Sequence, residues 1–203
     1  MTPWLSIVIP TIGRESLQLT LESIAEQPES SGVEVLVVAD MHGGFTAQLA
    51  RARQLVQDLG YEWLELDAGL HMVGQPQRTY GARQARAPWV WFTQDDNIAN
   101  VDSLATIEVA CDVQPRPRPI FFRFLSFWRE TIWRTPQLEL GNIDADCLVF
   151  PRHIAQQVEW GTRYEGDYDA ALRASALAGG DVCWAPEVIS VSRPSTELVW
   201  WLR

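Results

Sequence analysis

The nine residues WVWFTQDDN, numbers 89–97, decide the fold of this chain. The first four are apolar or aromatic and predict a short buried strand, and a polar cluster with two adjacent carboxylates follows directly. Because burying carboxylates is costly, we expect Asp95 and Asp96 to lie where the strand emerges. Open α/β sheets bind ligands at the carboxyl ends of parallel strands, and carboxylate oxygens suit a hard divalent cation. We therefore expect the chemistry of the protein at the end of this strand.

Three strand and helix pairs precede this strand. Each predicted strand is rich in aliphatic or aromatic residues, and each predicted helix carries apolar residues at helical spacing. The strands are expected at 5–9, 33–39 and 61–66, and the helices at 15–27, 45–59 and 74–87. With right-handed crossovers, this order predicts an α/β fold with a mostly parallel central sheet flanked by helices.

The chain after residue 100 has a different character. Proline-rich 113–119 is interpreted as a linker or exposed loop, because proline is excluded from helix interiors and central strands. Helices are predicted at 101–112, 151–158 and 167–178, one or two antiparallel strands at 120–134, and further strands at 148–150, 182–184 and 188–191. We expect a smaller antiparallel part beside the parallel sheet. The whole of 1–203 is interpreted as one domain with halves at 1–100 and 101–203.

The composition argues against several classes of protein. A formal net charge of −10 disfavours a nucleic-acid partner, because such binding uses many lysine and arginine contacts to phosphate. The cysteines Cys111, Cys147 and Cys183 form no CxxC pair and are interpreted as free thiols. The sequence has neither a signal peptide nor a membrane-spanning apolar run, so we expect a cytoplasmic protein. A GxGxxG or GxxxxGK[ST] phosphate loop is also missing, which disfavours dehydrogenases and P-loop enzymes.

Five short motifs follow one another along the chain. They are SIVIPT (6–11) with Arg14, VLVVAD (35–40), Arg78 with Gly81 and Ala85, QDDN (94–97) and GDYDAALR (166–173). In this order they resemble the nucleotide-sugar glycosyltransferases of family 2, which have the glycosyltransferase A fold. The resemblance implies a nucleotide-binding half at 1–100 and an acceptor-binding half at 101–203.

The resemblance also implies a role for individual residues. The implied nucleotide contacts are Pro10, Thr11, Arg14, Asp40, Arg78, Asp95 and Asp96. Asp96 matches the position that binds Mn²⁺ or Mg²⁺, and Asp167 matches the general base. The implied reaction moves a sugar, with inversion, from a nucleotide diphosphate sugar to a hydroxyl acceptor. A UDP-linked donor and a place in polysaccharide biosynthesis are the family's most frequent pattern.

The chemistry explains why these residue types are needed. Cleavage between the anomeric carbon and the diphosphate leaves negative charge, which a metal ion at Asp96 and the guanidinium of Arg78 would stabilise. The acceptor hydroxyl loses a proton as it attacks, and a carboxylate such as Asp167 can take it. Glu165 and Asp169 lie close enough in sequence to be rivals for that role.

Four positions depart from the family pattern. Ala39 replaces the first aspartate of the base-reading pair, Gln94 the first aspartate of the metal motif, and Gly166 the glutamate before the base. No histidine follows the last strand in 191–194. These departures keep open a non-catalytic nucleotide-sugar-binding relative. A nucleotidyltransferase is a second alternative, although its glycine-rich basic loop has no good counterpart in 11–14.

Each candidate also has a purely structural interpretation. The triplet 95–97 suits a polar turn or the cap of the next helix, and Asp167 suits a helix N-cap. Asp40 suits the turn at a strand end, and Arg78 with Arg83 suits an exposed helix face.

The acceptor side is less sharply predicted. Trp160 and Tyr164, just before the candidate base, are the predicted acceptor contacts. The basic and aromatic segment 116–134 suits sheet edge and core, or an acceptor groove in which Trp128 or Trp133 stacks on a sugar ring. The pair WW at 200–201 suits the core, a subunit contact in a homodimer, or a membrane surface.

Overall fold

The computed structural model describes residues 2–42, 44, 46–67, 74–126, 131–161 and 163–192. Within these residues, nine strands form one sheet with helices on both faces. The strands are β1 (Leu5–Thr11), β2 (Val33–Asp40), β3 (Glu62–Leu66), β4 (Trp89–Phe92), β5 (Asn97–Ala99), β6 (Ile120–Leu125), β7 (Thr131–Ile132), β8 (Leu148–Pro151) and β9 (Cys183–Ser192). The α-helices are α1 (Leu17–Ala25), α2 (Ala47–Asp58), α3 (Gln75–Gln84), α4 (Ser103–Asp112), α5 (Arg152–Ala155) and α6 (Gly166–Leu177).

The first four strands form the parallel part of the sheet. The strand order is β3-β2-β1-β4-β8-β6-β9-β5, and β7 pairs with β6 beside this path. β1 pairs in parallel with both β2 and β4, and it is buried along its whole length because helices cover both of its faces. The predicted α/β fold with a mostly parallel sheet is confirmed.

The smaller antiparallel part begins where β8 pairs with β4. β6 is antiparallel to β7 and β8 but parallel to β9, and β9 is antiparallel to β5. The predicted elements differ from the structure in three places. The two late strands are one strand, β9; β5 has no counterpart in the prediction; and the helix predicted at 151–158 is the shorter α5.

Each face of the sheet has its own apolar core. Helices α1, α2 and α4 cover one face, where Trp91 and Phe122 are fully buried. Helices α3, α5 and α6 cover the other face, where Phe92 and Phe121 are fully buried. Neighbouring residues of a strand thus point into different cores, as the period of a strand requires. None of the described helices is long and apolar enough to cross a membrane.

Helix α3 lies unusually close to the parallel part of the sheet. A Cβ atom added to Gly81 would lie 2.5 Å from Cγ1 of Val8 on β1. Only glycine allows this approach, which brings the first turn of α3 beside the carboxyl end of β1.

Candidate functional site

An open cleft of about 290 Å³ lies at the carboxyl ends of the parallel strands. It is lined by Pro10, Thr11, Ile12, Arg14, Asp40, Gly74, Gln77, Arg78, Gln94 and Asp95. All the predicted nucleotide contacts except Asp96 are among these residues. The loop after β1, the end of β2, the start of α3 and the turn after β4 each contribute to the cleft, so residues distant in sequence meet where the fold predicts a ligand.

Arg14 bridges the two carboxylates of the turn after β4. Its Nη1 lies 3.2 Å from Oδ1 of Asp95 and 3.0 Å from Oδ2 of Asp96. The Thr11 hydroxyl donates a second hydrogen bond to Asp95, at 2.7 Å. Burial raises the pKa of Asp95, while the Thr11 hydrogen bond and the Arg14 charge act in the opposite direction. The loop after β1 therefore neutralises the carboxylates as well as shaping the cleft.

The interpretation of 95–97 as a helix cap is wrong. Helix α4 begins at Ser103 with Asp102 at its N-cap, and Asn97 belongs to strand β5. Asp95 and Asp96 occupy the turn that joins β4 to β5. The turn interpretation stands, and it is compatible with a ligand-binding role because the turn faces the cleft.

Asp40 and Gly74 both line the cleft, Asp40 at the end of β2 and Gly74 at the start of α3. Oδ1 of Asp40 accepts a hydrogen bond from the backbone N–H of His42 at 2.9 Å, which is the strand-end turn predicted as its structural role. Gly74 has φ of +80°, and a Cβ there would lie 2.8 Å from Pro10 and 3.0 Å from Nη1 of Arg78. Glycine is therefore required where α3 begins.

Arg78 is buried, with 3% of its surface exposed, although arginine is rarely found inside proteins. Its guanidinium carbon lies 5.1 Å from the centre of the Trp160 ring. Burial lowers the pKa of Arg78, and the charges of four carboxylates oppose this effect: Asp144, Asp146, Asp167 and Asp95. The interpretation of Arg78 as part of an exposed helix face is wrong. Arg83 does lie exposed, paired with Glu159.

Asp167 is the second residue of α6. The N-cap residue of this helix is Glu165, so the N-cap interpretation of Asp167 is wrong. Burial, followed by the charge of Asp144, raises the pKa of Asp167 to about 6, and the nearby charge of Arg78 acts in the opposite direction. Of the two rivals, Asp169 is occupied by a salt bridge to Arg163 at 2.7 Å. Asp167 thus combines burial with a pKa near neutrality, which favours proton transfer.

The packing at the start of α6 requires a glycine at position 166. A Cβ atom at this position would lie 2.5 Å from the side-chain amide of Gln75 and 2.6 Å from the carbonyl oxygen of Trp160. The start of α6 therefore packs directly on the start of α3. A side chain at position 166 would collide with both groups.

The predicted acceptor contacts differ in exposure. Trp160 is fully buried, with its ring centre 4.7 Å from that of Phe92, and so cannot touch an acceptor. Tyr164 is 80% exposed and remains a prediction. Trp133 is also buried, and its Nε1 donates to the backbone of Phe121, so it is part of the core. Residue 128 and residues 200–201 lie outside the described part of the chain.

Two functional candidates were missed by the sequence reasoning, Asp144 and Asp146. Asp146 has no exposed surface, and burial, followed by the charge of Asp144, raises its pKa to about 7. Asp144 is half-buried and accepts a hydrogen bond from Nε2 of Gln94 at 3.1 Å. The available signal was the pattern DAD at 144–146 shortly before the apolar strand β8, which is antiparallel to β4, so that its start lies beside the end of β4.

The donor set suits a metal ion that arrives together with a diphosphate. Among the described residues, no three His, Cys, Asp or Glu side chains are arranged to hold a metal by themselves. Asp96 and Asp95 offer hard oxygen ligands at the cleft, and Mg²⁺ commonly uses one or two carboxylates together with substrate phosphates. The site therefore fits Mn²⁺ or Mg²⁺ with a nucleotide better than the metal alone.

Comparison with solved structures places this geometry in a known fold. No family model and no curated protein sequence matches the chain. TarS 1-349 of S. aureus superposes with a TM-score of 0.70 at 14% identity, over 93% of this chain and 60% of that one. The same protein in complex with UDP-GlcNAc gives 0.68 at 15%, over 96% and 60%.

A further solved structure is the mannosyltransferase PcManGT of Pyrobaculum calidifontis in complex with GDP-Man and Mn²⁺. It superposes with a TM-score of 0.68 at 18% identity, over 99% of this chain and 60% of that one. The chain thus spans about three fifths of the length of these structures. It has the glycosyltransferase A fold.

Proposed function

We propose that this protein transfers a sugar, with inversion, from a nucleotide diphosphate sugar to a hydroxyl acceptor. The observation that carries the proposal is a cleft lined by buried Arg78 and by Asp95, with Asp167 close enough to Arg78 for their charges to interact. The solved structures with this fold support it, because one holds UDP-GlcNAc and another GDP-Man with Mn²⁺. A UDP-linked donor remains our first choice.

The nucleotide half of the cleft suits a diphosphate. Asp40 is the candidate contact for the nucleotide base, and Pro10 and Thr11 at the end of β1 are the candidate wall beside it. When bound at Asp96, a divalent cation supplies Lewis-acid stabilisation of the leaving diphosphate. Arg78 and Arg14 add positive charge that meets phosphate oxygens. Because Arg78 is already held in place over Trp160, it needs little reorganisation to do so.

Asp167 is the proposed general base. Its raised pKa keeps it a stronger proton acceptor than an ordinary aspartate while leaving it ionised at neutral pH. It takes the proton of the acceptor hydroxyl as that oxygen attacks the anomeric carbon. A single displacement of this kind inverts the configuration of the sugar. Tyr164, exposed three residues earlier, is the proposed acceptor contact.

The direct test is donor binding and turnover. Purified protein is titrated with UDP, GDP, UDP-GlcNAc and GDP-Man, with Mn²⁺ and with EDTA, and donor hydrolysis is followed in parallel. We expect metal-dependent binding of one nucleotide and slow release of its sugar to water. Absence of binding across the panel contradicts the proposal. Binding without hydrolysis or transfer to any acceptor supports a non-catalytic nucleotide-sugar-binding protein instead.

A further inference from the structure

A buried carboxylate ties the turn after β4 to the rest of the molecule. Asp146 accepts hydrogen bonds from the hydroxyls of Thr93 at 2.6 Å and Ser190 at 2.8 Å. It also accepts from the amides of Asn97 at 2.6 Å and Gln94 at 3.2 Å. Donors from β9 and from both ends of the turn thus converge on one side chain that has no exposed surface.

These bonds fix both sides of the carboxylate pair at the cleft. Gln94 directly precedes Asp95, and Asn97 directly follows Asp96, so the turn is held at each end by the same acceptor. The backbone of Asp146 is anchored as well, because its carbonyl accepts from Nε1 of Trp91 at 3.1 Å. The residues on either side of the Asp95 and Asp96 pair are therefore tied to one buried side chain.

Gln94 also contacts the neighbouring carboxylate. Its Nε2 donates to Oδ1 of Asp144 at 3.1 Å as well as to Asp146. A carboxylate at position 94 would remove the donor that these two residues share and would bring a third acidic group against them. In this chain an amide at position 94 is thus a requirement of the surrounding structure, and a metal ligand at that position would conflict with it.

We propose that Asp146, together with Asp144 and through Gln94 and Asn97, is the positioning residue for the metal-binding carboxylate Asp96. This inference rests on the proposed metal-dependent function. The pair holds the turn in the geometry that a metal and diphosphate require, so the neutral residue at position 94 preserves metal binding. Groups that orient metal ligands commonly change metal affinity by about 10- to 100-fold when they are removed.

The test compares nucleotide binding by variants with small side-chain changes. The probes are Mn²⁺ and UDP, or Mn²⁺ and GDP if wild type binds only GDP. The variants are Gln94→Glu, Asp146→Asn and Ser190→Ala. Gln54→Glu is the matched control, because Gln54 donates to Asp58 on an exposed helix and the same change there is remote from the cleft. Calorimetry measures nucleotide affinity with Mn²⁺ and with EDTA, and a thermal melt reports folding.

We expect Gln94→Glu and Asp146→Asn to lower the Mn²⁺-dependent part of the affinity by about 10-fold or more. Affinity in EDTA should change little in Asp146→Asn but should also fall in Gln94→Glu, because Gln94 lines the cleft and glutamate adds a negative charge there. Ser190→Ala, which removes one of the four donors, is expected to have a smaller effect in the same direction, and Gln54→Glu none.

Tighter metal binding by Gln94→Glu overturns the inference, because it shows that a carboxylate at position 94 acts as a metal ligand. An unchanged ratio of the two affinities in Asp146→Asn, even with a lower melting temperature, also overturns it. Absence of metal-dependent binding by wild type itself contradicts the proposed function.

Discussion

Arg14 uses one nitrogen to contact both carboxylates at the cleft, and this contact makes a prediction about metal binding. Replacing Arg14 by glutamine removes the positive charge that pairs with the two carboxylates and competes with a metal ion for them. We expect Arg14→Gln to bind Mn²⁺ alone more tightly, by about fivefold, the size of a half-exposed ion pair. The same change weakens binding of the Mn²⁺ complex of UDP, since a phosphate partner is lost.

The measurement is a titration with Mn²⁺ in the absence and presence of UDP. Arg51→Gln, on the exposed face of α2, is the control for the change in net charge. If Arg14→Gln moves both affinities in the same direction, Arg14 is not shared between carboxylate and phosphate.

Asp167 carries the prediction about catalysis. Asp167→Asn keeps the shape of the side chain but cannot accept the proton, so we expect kcat to fall by about 10²- to 10⁴-fold. Donor affinity should stay within about twofold, because the residue does not line the nucleotide part of the cleft. Asp169→Asn, two residues along the same helix, should retain most activity. Equal losses in the two variants would argue for a structural role of the helix start.

The pH dependence of the rate follows from the pKa of Asp167, about 6. A base must be ionised to act, so lowering the pH through this value protonates it in the free protein and lowers kcat/KM, by about tenfold per pH unit well below the pKa. Above it, kcat/KM reaches a plateau. A rate profile of wild type that stays flat from about pH 5 to pH 8 would exclude Asp167 as the base.

At the scale of single residues, sequence reasoning found the candidate site residues that follow apolar strands. Asp40, Asp95 and Asp96 each stand at a strand end, where the carboxyl edge of the sheet collects polar side chains. Trp160 was misjudged because an aromatic side chain near a candidate base is equally suited to the core. Asp146 was missed because it precedes its strand, and its partners lie about 50 residues away in the chain.

At the scale of elements, the contact between α3 and α6 makes a prediction about stability. Gly166→Ala forces a Cβ against the amide of Gln75 and the carbonyl of Trp160, so we expect a loss of about 1–3 kcal/mol. Adding Gln75→Ala should relieve only part of this loss, because the carbonyl oxygen stays in place.

Urea denaturation of the two single variants and the double variant measures the coupling. Ala176→Ser, exposed on the same helix, provides the control for a change in side-chain size. A Gly166→Ala variant as stable as wild type would mean that α6 can shift away from α3 at no cost.

The errors in the predicted elements have physical causes. The residues between the two predicted late strands include Pro186, and proline lacks the N–H that a ladder needs. In the structure, Pro186 and Glu187 lie exposed at an irregularity, where the pairing of β6 with β9 shifts register, so one strand continues past them. Strand β5 escaped prediction because it has only three residues and is stabilised by pairing with β9, about 90 residues later.

At the scale of the whole molecule, buried carboxylates give stability an unusual dependence on pH. Asp146 has a pKa of about 7 when folded, against an ordinary value of 3.8 that applies when unfolded. The folded state therefore binds this proton more tightly, and the contribution of Asp146 to the free energy of unfolding falls as pH rises between these values. The slope is at most about 1.4 kcal/mol per pH unit.

Urea titrations from about pH 5 to pH 8 test this sign. We expect the free energy of unfolding of wild type to fall with pH relative to that of Asp146→Asn, which has no proton to lose there. Asp95 and Asp167 have raised pKa values too and remain in both proteins, so the difference reports on Asp146 and on the neighbouring Asp144 that interacts with it. Parallel curves for the two proteins would show that Asp146 stays ionised or stays protonated throughout.

The overall architecture was accessible from sequence because the alternation of strands and helices repeats over the first hundred residues. The second half was less accessible, since its strands pair with partners far away in the chain and in mixed directions. Local patterns do not encode such pairing, because it is decided by which apolar face is left uncovered once the parallel part has formed.

The hydrogen bond from Ser190 to Asp146 has a consequence for how the protein is made. Ser190 lies on the last described strand, whereas the turn it helps to hold is at residues 94–97. A ribosome adds Ser190 nearly a hundred residues after that turn, and domains fold as their segments emerge. A nascent chain can therefore assemble its parallel strands early, while the buried carboxylate that holds the turn lacks this donor until residue 190 has been added.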